Sequence, residues 1–364
     1  MHVLVATDSY GGYRSAPDAS ETIAAGLSEQ GIRATAHPMS DGGEGFLDAL
    51  HAHRPLEFHG VPLIGPIGKP TFATAGRLDG MWVVESATAM GLHLCGEARM
   101  PGRASSAGLG TLLAHLCGKA EGPLIVGLGG SATVDGGLGM LQALGLQALD
   151  EQGKLIPPKG GATALTRVSR LLGPVPLQDR VIQVLCDVDT PLRDAAELYG
   201  PQKGVHREDF EPLRDAHLRW ADTLNQWRQG HGLDALSPDW TSGGAAGGVG
   251  FAMAAALGGH LVAGAPTFAR MTGLDAAIHQ ADAVVTGEGR MDPGTFAGKV
   301  GQLVIARARQ DDTLTLALVG QASDVPPPPI GPDEIVVADS SEDRDAAFDA
   351  AISDLGQALL HQRA

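Results

Sequence analysis

The sequence predicts an α/β protein built from two domains. Short β-branched runs alternate with longer amphipathic stretches, which is typical of strands connected by helices. The 364 residues exceed the usual size of one domain and are enough for two hydrophobic cores. Glycine-rich segments with acidic or hydroxyl side chains follow several predicted strands, and ligands of open α/β sheets bind at the carboxyl ends of strands. We therefore expect these loops to share one cleft.

The first part of the chain has a regular alternation of strands and helices. Its apolar run at 2–7 predicts a buried first strand, because it is too short for an export signal and no basic segment precedes it. A helix, a strand and a second helix follow, at 19–30, 32–38 and 45–53. The pattern is extended from about 70 to 90.

The middle of the chain is rich in glycine and less regular. Its predicted elements are a strand, a short helix, a strand that ends in two acids, a polar helix and a helix of small residues, at 123–130, 137–145, 181–189, 207–228 and 242–259. The small residues of the last helix allow close packing on a neighbour, and its leading glycines can open it toward a ligand.

The last part returns to simple alternation. Its predicted strands lie at 283–290, 314–320 and 334–339, with a helix at 300–310 and another at the end of the chain. Because both ends of the chain share this pattern, we predict one discontinuous domain of residues 1–78 and 287–364. Residues 79–286 form the predicted inserted domain.

Composition excludes several functional classes. The net charge of −16 disfavours broad contact with nucleic acid or an anionic membrane, because no basic face can release phosphate counterions. No segment has the roughly 18 apolar residues of a membrane span. The three cysteines show no metal-binding spacing and no disulfide pattern. The sequence thus predicts a cytoplasmic protein that binds small molecules.

Two lysines lie in glycine-flanked loops, although the chain has only six lysines. Lys203 lies in GPQKG, and Lys299 follows a glycine at the predicted start of a helix. Glycine turns before a helix expose backbone N–H groups that suit a phosphate, and a lysine adds positive charge. Each lysine is either a phosphate ligand or a solvated surface residue, and both alternatives stay open.

Asp187 and Asp189 close the strand predicted over 181–189. Carboxylates at a spacing of two face the same side of a strand and can bind a metal together. One of them can instead cap the next turn. A carboxylate pair, cations and phosphate-binding loops are the parts that phosphoryl transfer needs.

A dinucleotide-binding pattern is the weaker alternative. Gly127, Gly129 and Ala132 fit GxGxxA after a strand, and Asp150 follows about twenty residues later. The helix predicted after this pattern is short, which disfavours an NAD-type dehydrogenase.

Five longer motifs carry a specific resemblance. They are GLGGSATVDGGLGMLQALG, LCDVDTPL, GPQKG, GGAAGGVG and TGEGRMD, in this order. Together with ATDSY and SDGGEG near the amino terminus, they make the chain similar to the bacterial glycerate kinase type I family (glycerate 2-kinase). The resemblance implies a two-domain glycerate kinase fold, with a flavodoxin-like (Rossmann-type) domain from both termini and an inserted second α/β domain. It also implies phosphorylation of D-glycerate with ATP and Mg²⁺, at the 2-hydroxyl, giving 2-phosphoglycerate and ADP.

The resemblance also implies site residues at the matching positions, to which we assign roles. The catalytic residues are Asp187, Lys203 and Arg290. The substrate-binding residues are Asp8, Ser9, Asp41, Glu44, Asp292, Thr295 and Lys299. The nucleotide-binding residues are Gly127, Gly129, Gly130, Ser131, Thr133, Gly247 and Gly248. The metal ligands are Asp187, Asp189 and Glu288, and Asp187 is assigned as the base or a metal carboxylate.

Three positions depart from the family's motifs. Gly11 stands where the family has the lysine of DSFKGS, Val134 replaces an asparagine, and Gly294 replaces a glutamine. We predict that Arg14, three residues downstream, supplies the missing cation and binds substrate; the alternative is a solvated Arg14. The departures also keep open a relative with another hydroxy-acid substrate, or one without activity that binds a nucleotide or other ligand. The oligomeric state stays open, with a homodimer as one alternative.

Overall fold

The structure is a computed structural model that describes residues 1–177, 179–187, 189–338 and 343–362. Residue 188 of the strand predicted over 181–189 lies outside the described residues, and so does the last residue of the strand predicted over 334–339.

The described chain contains strands and helices in alternation. The strands are β1 (His2–Thr7), β2 (Arg33–Ala36), β3 (Glu57–Ile64), β4 (Pro70–Leu78), β5 (Met81–Glu85), β6 (Leu124–Gly127), β7 (Gln147–Leu149), β8 (Arg170–Leu172), β9 (Ile182–Leu185), β10 (His260–Val262), β11 (Ala283–Met291), β12 (Leu314–Ala322) and β13 (Glu334–Val337). The α-helices are α1 (Ala16–Glu29), α2 (Phe46–His53), α3 (Ala87–Met90), α4 (Ala107–Lys119), α5 (Leu138–Ala143), α6 (Gly161–Leu165), α7 (Ala195–Tyr199), α8 (Phe210–Gly230), α9 (Ala245–Leu257), α10 (Gly264–Thr272), α11 (Leu274–His279), α12 (Val300–Gln310) and α13 (Arg344–His361).

The chain forms two compact units. Unit 1 comprises Met1–Asp41, Gly45–Pro55 and Gly264–Ala364, and unit 2 comprises Gly42–Glu44 and Leu56–Ala263. The units divide the chain at other positions than the predicted boundaries, because β3 pairs with β4 and β4 with β5 in the sheet of unit 2, and β11 pairs with β1 in that of unit 1. The predicted division into two domains, one of residues 1–78 and 287–364 and the other of residues 79–286, stays a prediction.

Unit 1 has a five-stranded parallel sheet in the order β13-β12-β11-β1-β2. If the five strands of this sheet are numbered 1 to 5 in chain order, their order from the β2 edge is 2-1-3-4-5. This is the flavodoxin-like order, which confirms the predicted fold class. Parallel strands are covered on both faces and therefore consist of continuous apolar runs, and five of the six residues of β1 are buried. On one face, Ile23 of α1 and Ile352 of α13 lie in a single core with the strands.

Unit 2 has a six-stranded mixed sheet in the order β10-β9-β6-β5-β4-β3. The first four strands are parallel to one another, while β4 is antiparallel to both β3 and β5. Its core contains Trp82, Trp220 and Phe251. The sequence pattern missed β3, because its inward residues Val61 and Leu63 alternate with Phe58, Pro62 and Ile64 on the exposed face, so the apolar run has no clear period.

Two sequence expectations about the strand ends need correction. The strand predicted over 181–189 ends at Leu185, so Asp187 and Asp189 lie in the loop and their spacing does not place them on one strand face. The pattern starts at Gly127, the last residue of β6, but α5 begins only at Leu138 and has six residues. The glycine turn therefore does not open directly into a helix, which is what the dinucleotide fingerprint requires.

Within the described ranges, no helix combines the length and the apolar character needed to cross a membrane.

Two histidine rings of unit 1 are in contact, the buried His37 and the half-buried His53. The ring centroids of His37 and His53 are 4.2 Å apart. His37 is 6% exposed, and its Nε2 lies 3.2 Å from Thr272 Oγ1, while His53 Nε2 lies 2.8 Å from Pro38 O. Burial lowers the pKa of His37 from 6.5 to about 3, and the neighbouring His53 lowers it further. The folded protein therefore keeps His37 neutral.

The neutral His37 makes stability depend on pH. Between pH 6.5 and about 3 the unfolded chain binds a proton at this residue that the folded chain does not bind, so stability falls as the pH is lowered. Between pH 7 and 5 we expect the free energy of unfolding to fall less for His37→Gln than for the wild type. The difference between the two slopes should be up to about 1.4 kcal/mol per pH unit below pH 6.5. Urea unfolding at pH 7, 6 and 5 measures this, with the exposed His115→Gln as control. Equal pH dependence of wild type and His37→Gln would contradict it.

Candidate active site

A cavity of about 500 Å³ lies in unit 1, where β1, β11 and β12 end. This is the edge of the parallel sheet at which α/β folds bind ligands, and β1 and β11 flank the point where the strand order reverses. We call it the unit 1 cavity. Its charged lining residues are Asp8, Asp41, Glu288, Arg290, Lys299 and Arg344. Ser9, Tyr10, Gly11, Tyr13 and Phe348 also line it.

The loop after β1 is anchored by Tyr10. Its hydroxyl donates to Leu318 O at 2.6 Å, and its ring meets the edge of Phe348 at a centroid distance of 5.2 Å. Burial raises the pKa of Tyr10, with the charges of Glu288 and Asp8 adding to the shift. Tyr10 therefore stays neutral and has a packing role, which was not predicted from the sequence. The predicted ligand residues Asp8 and Ser9 precede it and are half-buried.

The most perturbed carboxylate of the unit 1 cavity is Glu288. Burial raises its pKa from 4.5 to about 7, against the hydrogen bond from Thr295 and the charge of Lys299. Glu288 Oε1 is buried and has no hydrogen-bond partner among the described residues. A carboxyl with these properties can take up a proton near neutral pH or act as an oxygen ligand.

The segment after β11 is organised by its own side chains. The Asp292 amide donates to Thr295 Oγ1 at 3.2 Å, and the Gly294 amide donates to Asp292 Oδ1 at 2.8 Å. Thr295 is 1% exposed, so it orients this segment from the inside. The departure at Gly294 lies on the exposed side of the same turn.

Three cations line the unit 1 cavity. Arg290 is exposed and has Asp292 Oδ2 at 3.5 Å from its Nε. Lys299 is exposed and occupies the residue before α12, so its ammonium adds to the positive end of the helix. Arg344 stands at the first residue of α13. Arg344 was not predicted from the sequence, because the last sixty residues match the family only by strand–helix pattern.

Arg14 has a different environment from the one predicted. Its guanidinium donates to Asp18 Oδ2 at 2.9 Å and to Asp345 Oδ1 at 2.6 Å. Two carboxylates therefore neutralise Arg14, and it is not among the residues that form the lining of the unit 1 cavity. Direct binding of substrate by Arg14 stays a prediction that these ion pairs disfavour.

A second group of polar residues lies in unit 2 around Lys203. This residue is 3% exposed, and its Nζ donates to Ser131 Oγ at 2.9 Å and to Thr133 O at 2.8 Å. Burial lowers the pKa of Lys203 from 10.5 to about 7, although Asp135 opposes the shift. Lys203 is thus a buried lysine and not the solvated surface residue that was the alternative.

The loop that holds Lys203 is fixed by Asp135. Its Oδ2 accepts from Ser106 N at 2.8 Å and from Ser106 Oγ at 3.0 Å, and the amides of Gly137 and Gly139 also donate to this carboxylate. His217 Nε2 lies 3.2 Å from Val134 O. Burial lowers the pKa of His217 to about 4. Asp135 was not predicted as a site residue, although it lies inside the longest motif.

Most of the predicted nucleotide residues are interior. Thr133 is fully buried, Ser131 is 4% exposed, and Gly129 and Gly130 are the two members of the group that are not buried. Gly247 adopts a φ of +69°, and a Cβ there would lie 2.1 Å from Thr133 O. Gly247 and Gly248 therefore pack against the loop of Thr133, where no side chain has room. Direct contact of this group with a nucleotide stays a prediction.

The remaining predicted residues lie in unit 2 loops. Asp187 is half-buried after β9 and adjoins Cys186, whose pKa rises to about 11 mainly through burial and further through the charge of Asp187. Asp189 is exposed. Glu44 is exposed, with Oε1 at 3.6 Å from His93 Nδ1.

Val134, one of the departures, lies in an apolar cluster with Val205 and Leu213.

Metal ligation is not completed by protein side chains alone. No group of three His, Cys, Asp or Glu side chains in the described part of the chain is placed to hold a metal ion. Mg²⁺ in phosphoryl-transfer sites keeps several waters and is bound by one or two carboxylates together with substrate phosphates. The orphaned Oε1 of Glu288 fits such a partial ligand set.

Comparison with known proteins identifies the family. The sequence model described as the glycerate kinase family matches residues 3–362. The chain belongs to the glycerate kinase family. The glycerate kinase of Bacillus subtilis (strain 168) is 33% identical over 332 residues, which cover 89% of this chain and 86% of that protein. The glycerate 2-kinase of Escherichia coli (strain K12) is 33% identical over 333 residues, with the same coverage.

A solved structure supports the same relationship. A protein assigned as glycerate kinase 2 from Salmonella typhimurium LT2 matches with a TM-score of 0.80 and 31% identity, covering 100% of this chain and 99% of that one. The two-domain glycerate kinase fold predicted from the motifs is thereby confirmed, and the named relatives are kinases.

Proposed function

We propose that this chain transfers the γ-phosphoryl group of ATP to the 2-hydroxyl of D-glycerate, giving 2-phosphoglycerate and ADP. Membership of the glycerate kinase family supports the reaction class and the substrate. The Escherichia coli relative is named a glycerate 2-kinase, which supports the 2-hydroxyl as acceptor. Because ATP is made in the cytoplasm, we place the protein there as part of the same proposal.

The observation that carries the proposal is the unit 1 cavity. Lys299 and Arg344 face it without an ion-pair partner among the described residues, and a buried carboxyl, Glu288, lies beside them. Cations without partners attract an anionic ligand, and carboxyl groups accept hydrogen bonds from hydroxyls or share a cation. A small hydroxy acid carries both kinds of group.

The chemical step needs a hydroxyl made nucleophilic and a stabilised phosphoryl group. In the proposal, Asp187 accepts the proton of the 2-hydroxyl while the oxygen of that hydroxyl forms a bond to the γ-phosphorus. The bond between the γ-phosphorus and the β–γ bridging oxygen breaks, and ADP leaves with that oxygen. Arg290 and Lys203 stabilise the negative charge on the transferred oxygens. The main chain at Gly129 and Gly130, which is accessible, binds phosphate oxygens through backbone N–H groups.

Carboxylates of this chain would hold Mg²⁺. Asp189 and Glu288 are the proposed ligands, with Asp187 as the alternative to its role as base. Mg²⁺ held there would supply positive charge that offsets the negative charge of the phosphate groups. Of these carboxylates, Glu288 has the clearest reason to bind a cation, since its Oε1 lacks a hydrogen bond in the described structure.

The remaining predicted residues are assigned to the substrate. Asp8, Ser9 and Asp41 line or border the unit 1 cavity and offer oxygens to the hydroxyls of glycerate. Thr295 is buried, so its proposed role is indirect. It is hydrogen-bonded to Asp292 and to Glu288 and positions both residues. Glu44 is proposed as a further hydrogen-bond acceptor.

A coupled assay of ADP release tests the proposal. We expect ADP to be released with D-glycerate, ATP and Mg²⁺, and release to stop when EDTA removes the metal. L-glycerate, glycolate, D-lactate and glycerol serve as a panel that separates the acid from the hydroxyl requirement. Binding of ATP without ADP release for any hydroxy acid would contradict the proposal and favour a ligand-binding relative.

A further inference from the structure

The loop after β1 lacks a cation that faces the unit 1 cavity. The position at which the motif has lysine is Gly11, whose φ of +56° is unfavourable for a lysine side chain although the space around it is open. The nearest arginine in the loop, Arg14, is paired with Asp18 and Asp345. Its guanidinium carbon also lies 4.9 Å from the Phe348 ring centroid. Arg14 is therefore committed to contacts within the fold.

Arg344 presents a cation from another element of the same unit. It stands at the start of α13, lines the unit 1 cavity and is exposed. No carboxylate lies within ion-pair distance of Arg344 in the described ranges of the chain. Its guanidinium carbon lies 5.7 Å from the centroid of the Tyr13 ring.

The Tyr13 ring under Arg344 is held in place. The Tyr13 hydroxyl donates to Asp345 Oδ1 at 2.5 Å, and Asp345 also accepts from Arg14. Arg14 lies 5.1 Å from the same ring centroid. The ion pairs of Arg14 and Asp345 thus fix an aromatic platform beside the cavity.

An arginine on an aromatic platform is suited to bind an oxyanion. Contact with the ring attracts the cation but uses none of its five N–H donors. The planar guanidinium can then grip a carboxylate or phosphoryl group through two parallel hydrogen bonds. The platform limits the rotamers of Arg344, so less conformational entropy is lost when the anion binds.

We propose that Arg344 is a substrate-binding residue that holds the oxyanion of a ligand in the unit 1 cavity, in the place of the lysine that the motif lacks. The ligand group is a carboxylate of the hydroxy acid or a phosphoryl group. The inference rests on the proposed function and deepens it, since it names the cation that recognises the acidic substrate. Arg14 then contributes through the platform and not by direct contact.

Steady-state kinetics of Arg344→Met tests the assignment. If the bound group is the carboxylate of D-glycerate, the KM for D-glycerate rises at least tenfold while the KM for ATP stays within twofold. If the bound group is a phosphoryl group of the nucleotide, the KM for ATP rises instead. The matched control is Arg33→Met, an exposed arginine of β2 in the same unit. Adding Gly11→Lys to Arg344→Met should recover part of the loss.

An equilibrium measurement separates this inference from the proposed function. Thermal shifts of wild type and Arg344→Met are recorded with D-glycerate and with inorganic phosphate, without ATP. Stabilisation of the wild type that is lost in Arg344→Met, and kept in part by Arg344→Lys, supports the site even if no glycerate is phosphorylated. Normal turnover with unchanged KM values and equal thermal shifts in Arg344→Met would overturn the role of Arg344 and leave the proposed function intact.

Discussion

Replacing Asp187 by asparagine should lower kcat by roughly 10²–10⁴-fold with little change in the stability of the fold, which is the range for a positioned general base. Asp187 follows the buried strand β9 and is half-buried, so it is held by the sheet and still reachable from solvent. An amide of the same shape keeps the packing but cannot accept the proton of a hydroxyl. Initial rates with saturating D-glycerate and ATP measure the loss.

Two further variants show whether the loss is specific to Asp187 and whether Asp187 acts as a base or as a metal ligand. Asp179→Asn changes an exposed acid in the loop before β9 and should keep wild-type turnover. Asp189→Asn should weaken the apparent affinity for Mg²⁺, and excess Mg²⁺ should restore its rate if Asp189 only binds metal. If Asp187→Asn is restored in the same way, Asp187 is a metal ligand. Wild-type turnover in Asp187→Asn would remove it from the mechanism.

Lys203→Met should reduce kcat/KM by roughly 10–150-fold, which corresponds to about 1.5–3 kcal/mol for a lost charge-assisted hydrogen bond. The ammonium of Lys203 donates to Ser131 Oγ and to Thr133 O in a site where it is 3% exposed. Its removal leaves the carbonyl of Thr133 without this donor, so stability should also fall by about 1–3 kcal/mol.

The catalytic and structural effects of Lys203 can be separated. Assays at a temperature well below the melting transition of Lys203→Met measure activity of the folded enzyme. Lys119→Met on the surface of α4 is the matched control. If Lys203→Met loses stability but keeps kcat and both KM values, Lys203 is structural.

The strands of unit 1 followed from the sequence because their signals are local, whereas the flavodoxin-like arrangement was implied only by the resemblance to the family. The run at 2–7 became β1 without a change of bounds, and the parallel strand β12 is apolar along most of its length. β3 was missed because its exposed face is also apolar. The strand that was expected to include Asp187 ends at Leu185, since polar residues after the apolar run no longer pair with β6.

Only those residues of the site that lie in sequence motifs could be predicted. Asp8, Asp41, Glu288, Arg290 and Lys299 stand in motifs and line one cavity. Arg344 comes from a helix in which no motif was visible, and its position depends on how α13 packs on the sheet. Arg14 was expected to face a ligand, but its ion pair with Asp345 spans 331 residues, and a contact of such separation leaves no local signal in the sequence.

Phosphorus and proton NMR of the product formed from D-glycerate and ATP tests the proposed reaction most directly. We expect one phosphorylated acid in an amount equal to the ADP released, with its phosphorus coupled to the single proton on carbon 2, as in 2-phosphoglycerate. Coupling to the two protons on carbon 3 would show phosphorylation of the other hydroxyl and contradict the proposed regiochemistry. An unchanged D-glycerate spectrum in the presence of bound ATP would contradict the kinase activity itself.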